Sequence, residues 1–377
     1  MSLPKIWLSS PHMGGNEQKY IKEAFDANWV APLGPNVTGF EQDLENYLDQ
    51  NVFVGALSSG TAAIHLGLIL LNVKSGDEVI CQSMTFSASA NPIVYQGATP
   101  VFVDSESDTW NICPNALEEA IKDRILKGKK PKAIIAVHLY GMPYKVDEIR
   151  SIANKYEIPI LEDSAEALGS SYKNQKCGTF GDISVLSFNG NKIITTSGGG
   201  AIVTKTKELK EKAVFLATQA RDNAPHYQHS EIGYNYRMSN ICAGIGRGQM
   251  EILDNHVAKR RAMHDFYIEI FKQKESVTVF SEINEDYFSN HWLSAITIDS
   301  EKNNGKSSEE LRLLLDKENI ESRPLWKPMH LQPVFCGAPY YGGSVSEKLF
   351  EQGLCLPSGS NLSTDDKDRI ESCINKF

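Results

Sequence analysis

The chain has 377 residues, 41% hydrophobic and 23% charged, an ordinary globular composition with enough length for two or three domain-sized units. Lys plus Arg number 38 against 47 Asp plus Glu, a formal net charge of −9, so the chain lacks the cation surplus that displaces counterions from a nucleic-acid backbone. No apolar run reaches membrane-spanning length, Met1–Pro4 leads into mixed polar sequence without a signal-peptide core, and the seven scattered cysteines hold no Cys-x-x-Cys pair. These features predict a cytoplasmic protein with reduced thiols, no membrane and no nucleic-acid partner.

In chain order, Val- and Ile-rich runs at Phe53–Leu57, Glu78–Cys81, Pro100–Val103, Ala133–His138 and Ile158–Leu161 read as strands. Between them, Thr61–Leu71, Pro114–Leu126 and Val146–Tyr156 carry apolar residues at three- and four-residue spacing and read as helices. Such alternation argues for parallel strands covered by helices on both faces. Ser184–Phe188 and Ala201–Val203 read as strands joined by a loop ending in Ser197-Gly198-Gly199-Gly200. Ser239–Lys272 reads as one long helix or two joined ones, with Ile252, Val257, Met263, Phe266 and Ile270 toward its buried side. Val277–Phe280, Trp292–Ile298, a helix at Ser308–Lys317 and a terminal helix after Ser363 then suggest a smaller α+β unit. The expected division is a large domain over residues 1–250 and a small one over 251–377.

Three segments carry candidate chemistry. Ser58-Ser59-Gly60-Thr61-Ala62-Ala63 joins a strand to a helix, where glycine permits close backbone approach and free amides favour an anion such as phosphate; a simple Ser/Thr helix cap reads the same. Leu161-Glu162-Asp163-Ser164-Ala165-Glu166 lies at the carboxyl end of a buried strand, where ligands of open α/β sheets gather. Carboxylates there are costly unless paired or hydrogen-bonded, although a capping Asp with a solvated Glu fits the same letters. Ser187-Phe188-Asn189-Gly190-Asn191-Lys192 places one lysine in an otherwise uncharged loop; partial burial makes such an amine a good imine former, and an exposed loop lysine is the plainer alternative.

A phosphate cradle, an Asp at a strand end and a Lys in a Gly-rich loop are together the parts pyridoxal phosphate requires. With Asn28-Trp29-Val30, Gly34-Pro35, Phe40-Glu41, Gly76-Asp77-Glu78-Val79, Val137-His138-Leu139-Tyr140-Gly141 and Gly233-Tyr234-Asn235-Tyr236-Arg237-Met238 in this order, the chain resembles the DegT/StrS family of sugar-nucleotide aminotransferases. The resemblance implies the aspartate-aminotransferase-like fold of pyridoxal phosphate enzymes (fold type I), with a mostly parallel mixed sheet in the large domain. It implies Lys192 as the Schiff-base lysine and Asp163 as the partner of the pyridine nitrogen. Gly60, Thr61 and Ser187 would anchor the phosphate, Phe86 would stack on the cofactor, and Glu166 would stand beside it where many members have Gln or His. Asn235 would reach the phosphate from a neighbouring subunit, which implies a homodimer with shared active sites.

The segments Glu321–Pro333 and Ser187–Thr196 look most like members that make UDP-N-acetylbacillosamine-type sugars. That likeness implies amination by glutamate at C4 of UDP-2-acetamido-2,6-dideoxy-4-keto-glucose, with Glu166, Arg323, Lys327 and His330 toward the substrate. A structural salt bridge fits Arg323 or Lys327 equally well. GDP-perosamine-type and dTDP-sugar aminotransferases, and a non-catalytic protein of the same fold, stay open. A dehydratase of the fold is disfavoured, because those members replace the lysine by histidine. The nine histidines form no ligand-spaced cluster, and no G-x-G-x-x-G follows the first strand, so neither a metal nor a nicotinamide is expected.

Overall fold

The computed structural model describes residues 3–48 and 51–377, so the first two residues of the Met1–Pro4 start lie outside the described part. Two helices, α1 (Glu17–Asp26) and α2 (Pro35–Leu48), precede the sheet; α2 opens on a proline, whose missing N–H costs nothing at a helix start. Then follow β1 (Phe53–Leu57), α3 (Gly60–Leu70), β2 (Glu78–Gln82), α4 (Ser87–Tyr95), β3 (Thr99–Val103), α5 (Pro114–Leu126), β4 (Ala133–Val137), α6 (Val146–Tyr156) and β5 (Ile160–Asp163). A short ribbon, β6 (Ser171–Tyr172) and β7 (Gln175–Lys176), leads to β8 (Ile183–Ser187), β9 (Gly200–Thr204) and α7 (Lys207–Ala217). The Ser239–Lys272 stretch is two helices, α8 (Asn240–Met250) and α9 (Leu253–Phe271), with Ser239 capping α8 through its hydroxyl.

The eight-stranded sheet runs β1-β9-β8-β5-β4-β2-β3 and ends on β14 (Tyr340–Tyr341). β9 is antiparallel to both its neighbours, and every other pairing is parallel. Strand alternation splits the core between the two faces. Ile134 and Ala136 of β4 pack with α5 and α6, while Ala133, Ile135 and Val137 pack with α3, α4 and α7. A third cluster joins α2 and α8 to β1, β8 and β9.

The remaining chain builds β10 (Val277–Val279), β11 (Tyr287–Phe288), β12 (Ser294–Ile298), α10 (Ser308–Lys317), β13 (Arg323–Pro324), α11 (Val345–Gln352), β15 (Gly353–Leu356) and α12 (Thr364–Ile374). β10, β12, β15 and β13 form an antiparallel sheet covered by α9, α10 and α12. Capping boxes at Ser307/Glu310 and Ser363/Asp366 start α10 and α12.

The two parts are laced rather than strung. Ile6, near the start of the chain, pairs with Ile320 and packs in the C-terminal core, while Tyr340–Tyr341 returns to the edge of the large sheet. The buried stripe of α9 also departs from apolar periodicity. Val257 and Met263 are buried, but Ile252, Phe266 and Ile270 are only half-buried, and His256, Arg260 and His264 share the stripe. Among the described residues no helix is long and apolar enough to cross a membrane. All seven cysteines are free, and no cluster of metal-ligating side chains occurs among the described residues.

Candidate active site

The carboxyl ends of β1, β4, β5 and β8 open onto a cavity of about 760 Å³, the position expected for a ligand of an open α/β sheet. It brings together Gly60, Thr61, Phe86, Asp163, Glu166, Ser187, Lys192, Arg323 and Lys327.

The anion cradle forms where β1 gives way to α3. Ser59 caps the helix by accepting from the Ala62 amide at 3.0 Å, which leaves the Gly60 and Thr61 amides at the cavity wall as donors. Glycine is needed at both crossing points. A Cβ on Gly60 would stand 3.0 Å from Ser187 Cβ, and one on Gly200 would overlap the Ser59–Gly60 peptide at 2.3–2.4 Å. The scattered motifs Phe40-Glu41 and Gly233–Met238 act on the same turn. Glu41 accepts from Arg237 at 2.5 Å and from the Ala56 amide at 2.9 Å, Arg237 also donates to Ala56 O, and Ser58 N–H donates to Tyr236 O at 2.7 Å. Together these bonds brace the end of β1.

Asp163 ends β5 and is 4% exposed. Its Oδ2 accepts from Ser89 at 2.6 Å, Ser89 in turn contacts Thr85 at 2.7 Å, and its Oδ1 accepts from the Ala165 amide at 3.1 Å. A carboxylate so held remains available to a cationic nitrogen placed in the cavity. Its neighbour Glu162 points away and has another task. It accepts from His138, Ser164 and the Gly178 amide on one oxygen, and from Ser184 and the Phe180 and Gly181 amides on the other. Burial pushes its acidity one way, but His138 and those amides outweigh burial and hold the carboxyl at about 2.

Lys192 lies between Glu166 and Trp292. Its Nζ is 3.4 Å from Glu166 Oε1 and 4.2 Å from the Trp292 ring centre. Glu166 also accepts the Tyr140 amide at 2.7 Å, delivered by a left-handed residue with φ of 54°. Burial raises the Glu166 carboxyl to about 7; Lys192 and the Tyr140 amide pull the other way, and Asp163 adds to the rise. Glu166 thus exchanges its proton near neutrality. Phe86, at the start of α4, is 56% exposed with its ring tilted 5.6 Å from Trp326, so it is not a core residue and its face is free for stacking. Trp292 and Trp326 line the cavity as an aromatic wall, with buried Tyr140 packed against both.

Two expected residues stand apart from the cavity. His330 is turned away: its ring bonds Ser83 at 2.7 Å and Glu347 at 3.2 Å and stacks on Tyr340 at 3.8 Å, so both nitrogens are engaged in tying the 329–335 turn to the sheet edge. Asn235 is exposed on the opposite side of the β1 turn, bridged to Thr218. Arg323 lines the mouth, already paired with Glu321 at 2.7 Å, and Lys327 is exposed beside it.

The residues present fit pyridoxal phosphate. The glycine-lined cradle suits a phosphate, the anchored Asp163 suits a pyridinium, and the Lys192 amine extends from an otherwise uncharged loop. Ser89, Trp292, Trp326 and Tyr140 are the site residues that sequence reasoning missed. Ser89 is three residues from Phe86 on one face of α4, a spacing that could have flagged it.

The DegT/DnrJ/EryC1/StrS aminotransferase family matches residues 11–375. EpsN of Bacillus subtilis (strain 168), provisionally named a pyridoxal phosphate-dependent aminotransferase, is 52% identical over 370 residues, covering 97% of this chain and 94% of its own. GDP-perosamine synthase of Escherichia coli O157:H7 is 37% identical over 374 residues, covering 99% and 98%. The crystal structure of a DegT DnrJ EryC1 StrS aminotransferase from Brucella abortus superposes with a TM-score of 0.88 at 30% identity, covering 96% and 95%. The expected fold type I architecture, with a mostly parallel mixed sheet in the large domain, is therefore present. With cradle, carboxylate and lysine in one cavity and the family spanning nearly the whole chain, the protein belongs to the DegT/DnrJ/EryC1/StrS aminotransferases and is a pyridoxal phosphate-dependent sugar aminotransferase.

Proposed function

We propose that the protein transfers the amino group of glutamate to C4 of UDP-2-acetamido-2,6-dideoxy-4-keto-glucose. The observation that carries this reading is the convergence of two segments on one cavity. Asn189, Asn191 and Lys192 come from one of the two stretches that resemble UDP-N-acetylbacillosamine-type enzymes, and Arg323–Lys327 come from the other. When bound, pyridoxal phosphate supplies an electron-withdrawing ring that takes the amino group from the donor and passes it to the acceptor. Lys192 Nζ takes the proton from the donor's α-carbon and later delivers one to C4 of the sugar, a service worth typically about 10²–10⁴-fold. Asp163 holds a proton at the ring nitrogen, and Gly60, Thr61 and Ser187 hold the phosphate, each charge-assisted bond contributing about 1.5–3 kcal/mol. Glu166, near half-protonated at neutral pH, serves as donor or acceptor toward the cofactor's edge and the sugar. Arg323 and Lys327 meet the substrate's diphosphate at the mouth.

The working unit in this reading is a cytoplasmic homodimer, its subunits divided at 250/251. Exposed Phe25, Trp29, Leu33, Val94, Tyr95 and Ile232 supply apolar surface for a second copy, and exposed Asn235 reaches that copy's phosphate cradle. A second reading, a GDP-linked 4-keto-6-deoxy sugar, draws on the name of the Escherichia coli relative. The two are separated by kcat/KM for the UDP-N-acetyl sugar, GDP-4-keto-6-deoxymannose and dTDP-4-keto-6-deoxyglucose with glutamate as donor, products identified by mass. A pocket that hydrogen-bonds the N-acetyl group should favour the UDP sugar by about one to two decades, since an unpaired buried partner costs about 1–3 kcal/mol. Equal or better turnover of either competitor refutes the UDP assignment and leaves the aminotransferase standing.

A further inference from the structure

Arg260, on α9, is 1% exposed and has no counter-ion among the described residues. Burial alone pulls its guanidinium down to about 9, with no carboxylate acting against it. The neighbouring imidazoles of His12 and His256, stacked 4.8 Å apart, are both pushed toward neutrality, by burial first. An uncompensated charge in a dry interior is expensive, and a packing role alone would be met as well by an apolar side chain.

The two residues that Arg260 bonds meet at one further atom. Its Nη1 donates to Trp292 O at 2.5 Å and its Nη2 to Ser9 Oγ at 2.9 Å, while Nε has no partner among the described residues. Ser9 Oγ then donates to Asn191 O at 2.7 Å, and Trp292 Nε1 donates to that same carbonyl at 2.7 Å. Asn191 immediately precedes Lys192, and the Trp292 ring lies 4.2 Å from Lys192 Nζ. Three distant pieces of chain, the N-terminal segment, α9 and the approach to β12, therefore meet at the peptide that carries the lysine.

We propose that Arg260 is a positioning residue for Lys192, drawing Ser9 and Trp292 onto the Asn191 carbonyl and so fixing the direction in which the amine projects. The inference rests on the reading of Lys192 as the residue that bonds the cofactor. A displacement of about 1 Å at a reacting group can cost about 10²-fold, so the clamp has a measurable consequence.

The test uses the full-length enzyme stripped of cofactor, as wild type, Arg260→Met, Arg260→Lys and Trp292→Phe. Pyridoxal phosphate is added, and condensation of the Lys192 amine with its aldehyde, which releases water, is followed by absorbance and then trapped with borohydride for peptide mapping. Arg260→Met should form the bond at least tenfold more slowly and lose kcat by a similar factor, with KM for glutamate within threefold. Arg260→Lys should recover part of both. Trp292→Phe keeps a ring but loses the indole N–H, and should slow bond formation in the same direction. The double variant should be no slower than the worse single one, because both act through one carbonyl. Bond formation within twofold of wild type in Arg260→Met overturns the proposal, as do losses that merely track the unfolded fraction with no recovery in Arg260→Lys. If Arg260→Met does not fold, Trp292→Phe decides: a rate within twofold of wild type overturns the clamp. A wild-type label on another lysine overturns the underlying reading instead, and the peptide map reports that before any variant is made.

Discussion

Replacing Glu166 by glutamine should make the apoenzyme's stability less sensitive to pH, with a sign that the structure fixes. The carboxyl is 4% exposed and burial raises it from an ordinary 4.5 to about 7. The folded protein therefore keeps this proton to higher pH than the unfolded chain does. Between about pH 4.5 and 7 it carries more protons than the unfolded state, so stability falls as pH rises through that window. Each tenfold difference in proton affinity is worth about 1.4 kcal/mol, so the full loss amounts to roughly 3 kcal/mol. Glutamine mimics the protonated form in shape and keeps an oxygen for the Tyr140 amide, but it cannot ionise. Guanidinium unfolding of wild-type and Glu166→Gln apoenzyme, run in parallel from pH 5 to 8.5, isolates the effect, since everything else that titrates is common to both. The variant should lie within about 1 kcal/mol of wild type near pH 5 and exceed it by roughly 3 kcal/mol at pH 8.5. A difference that stays flat would refute the raised pKa. A variant less stable by a constant amount over the whole range would show instead that Glu166 is ionised throughout and bonded to Lys192.

Asp163→Asn should leave melting temperature and fold within ordinary variation yet slow both half-reactions by about 10²-fold or more, because the amide cannot hold a proton on the ring nitrogen; near wild-type single-turnover rates would reduce Asp163 to a turn residue. Glu162→Gln should do the reverse, costing about 3–5 kcal/mol of stability, the usual penalty for breaking a buried charged network, while the surviving folded enzyme turns over normally. Lys192→Ala and Asn235→Ala, each inactive, should regain activity when mixed and refolded, since a heterodimer rebuilds one intact site. No recovery despite proven subunit exchange would remove Asn235 from the partner's site.

Much of the central sheet could be read from Val/Ile runs and helical spacing, because hydrophobic burial there follows strict periods: β4 buries alternate residues on opposite faces, as its letters suggest. Asp163 and Lys192 were legible for a different reason, since each is a charge in a context that would otherwise exclude it. What stayed hidden depends on partners far away in sequence. α4 carries Pro92 within its span, past the first turn, where proline withholds an intrahelical hydrogen bond and breaks the helical signature. β9 looks like any buried strand, and only its pairing with both β1 and β8 reveals its reversed direction. His330 resembled a substrate contact because it sits in a substrate-like segment, but Ser83 and Glu347 claim both its nitrogens. Arg260 was invisible to an apolar reading of α9 because its burial is secured by carbonyl and hydroxyl acceptors from elsewhere.

The lacing of the first residues into the last domain bears on when the enzyme becomes competent during its own synthesis. Leu8 donates its amide to Glu321, 313 positions later, and both line the cavity. At about 5–20 residues per second, roughly 16–60 s separate the appearance of those two partners at the ribosome. Throughout that interval the cradle, Asp163 and Lys192 exist on a chain whose opposite wall has not been made. Completion of the cavity is thereby deferred to the final moments of translation or later, and a nascent chain stalled before residue 321 should show no aminotransferase turnover.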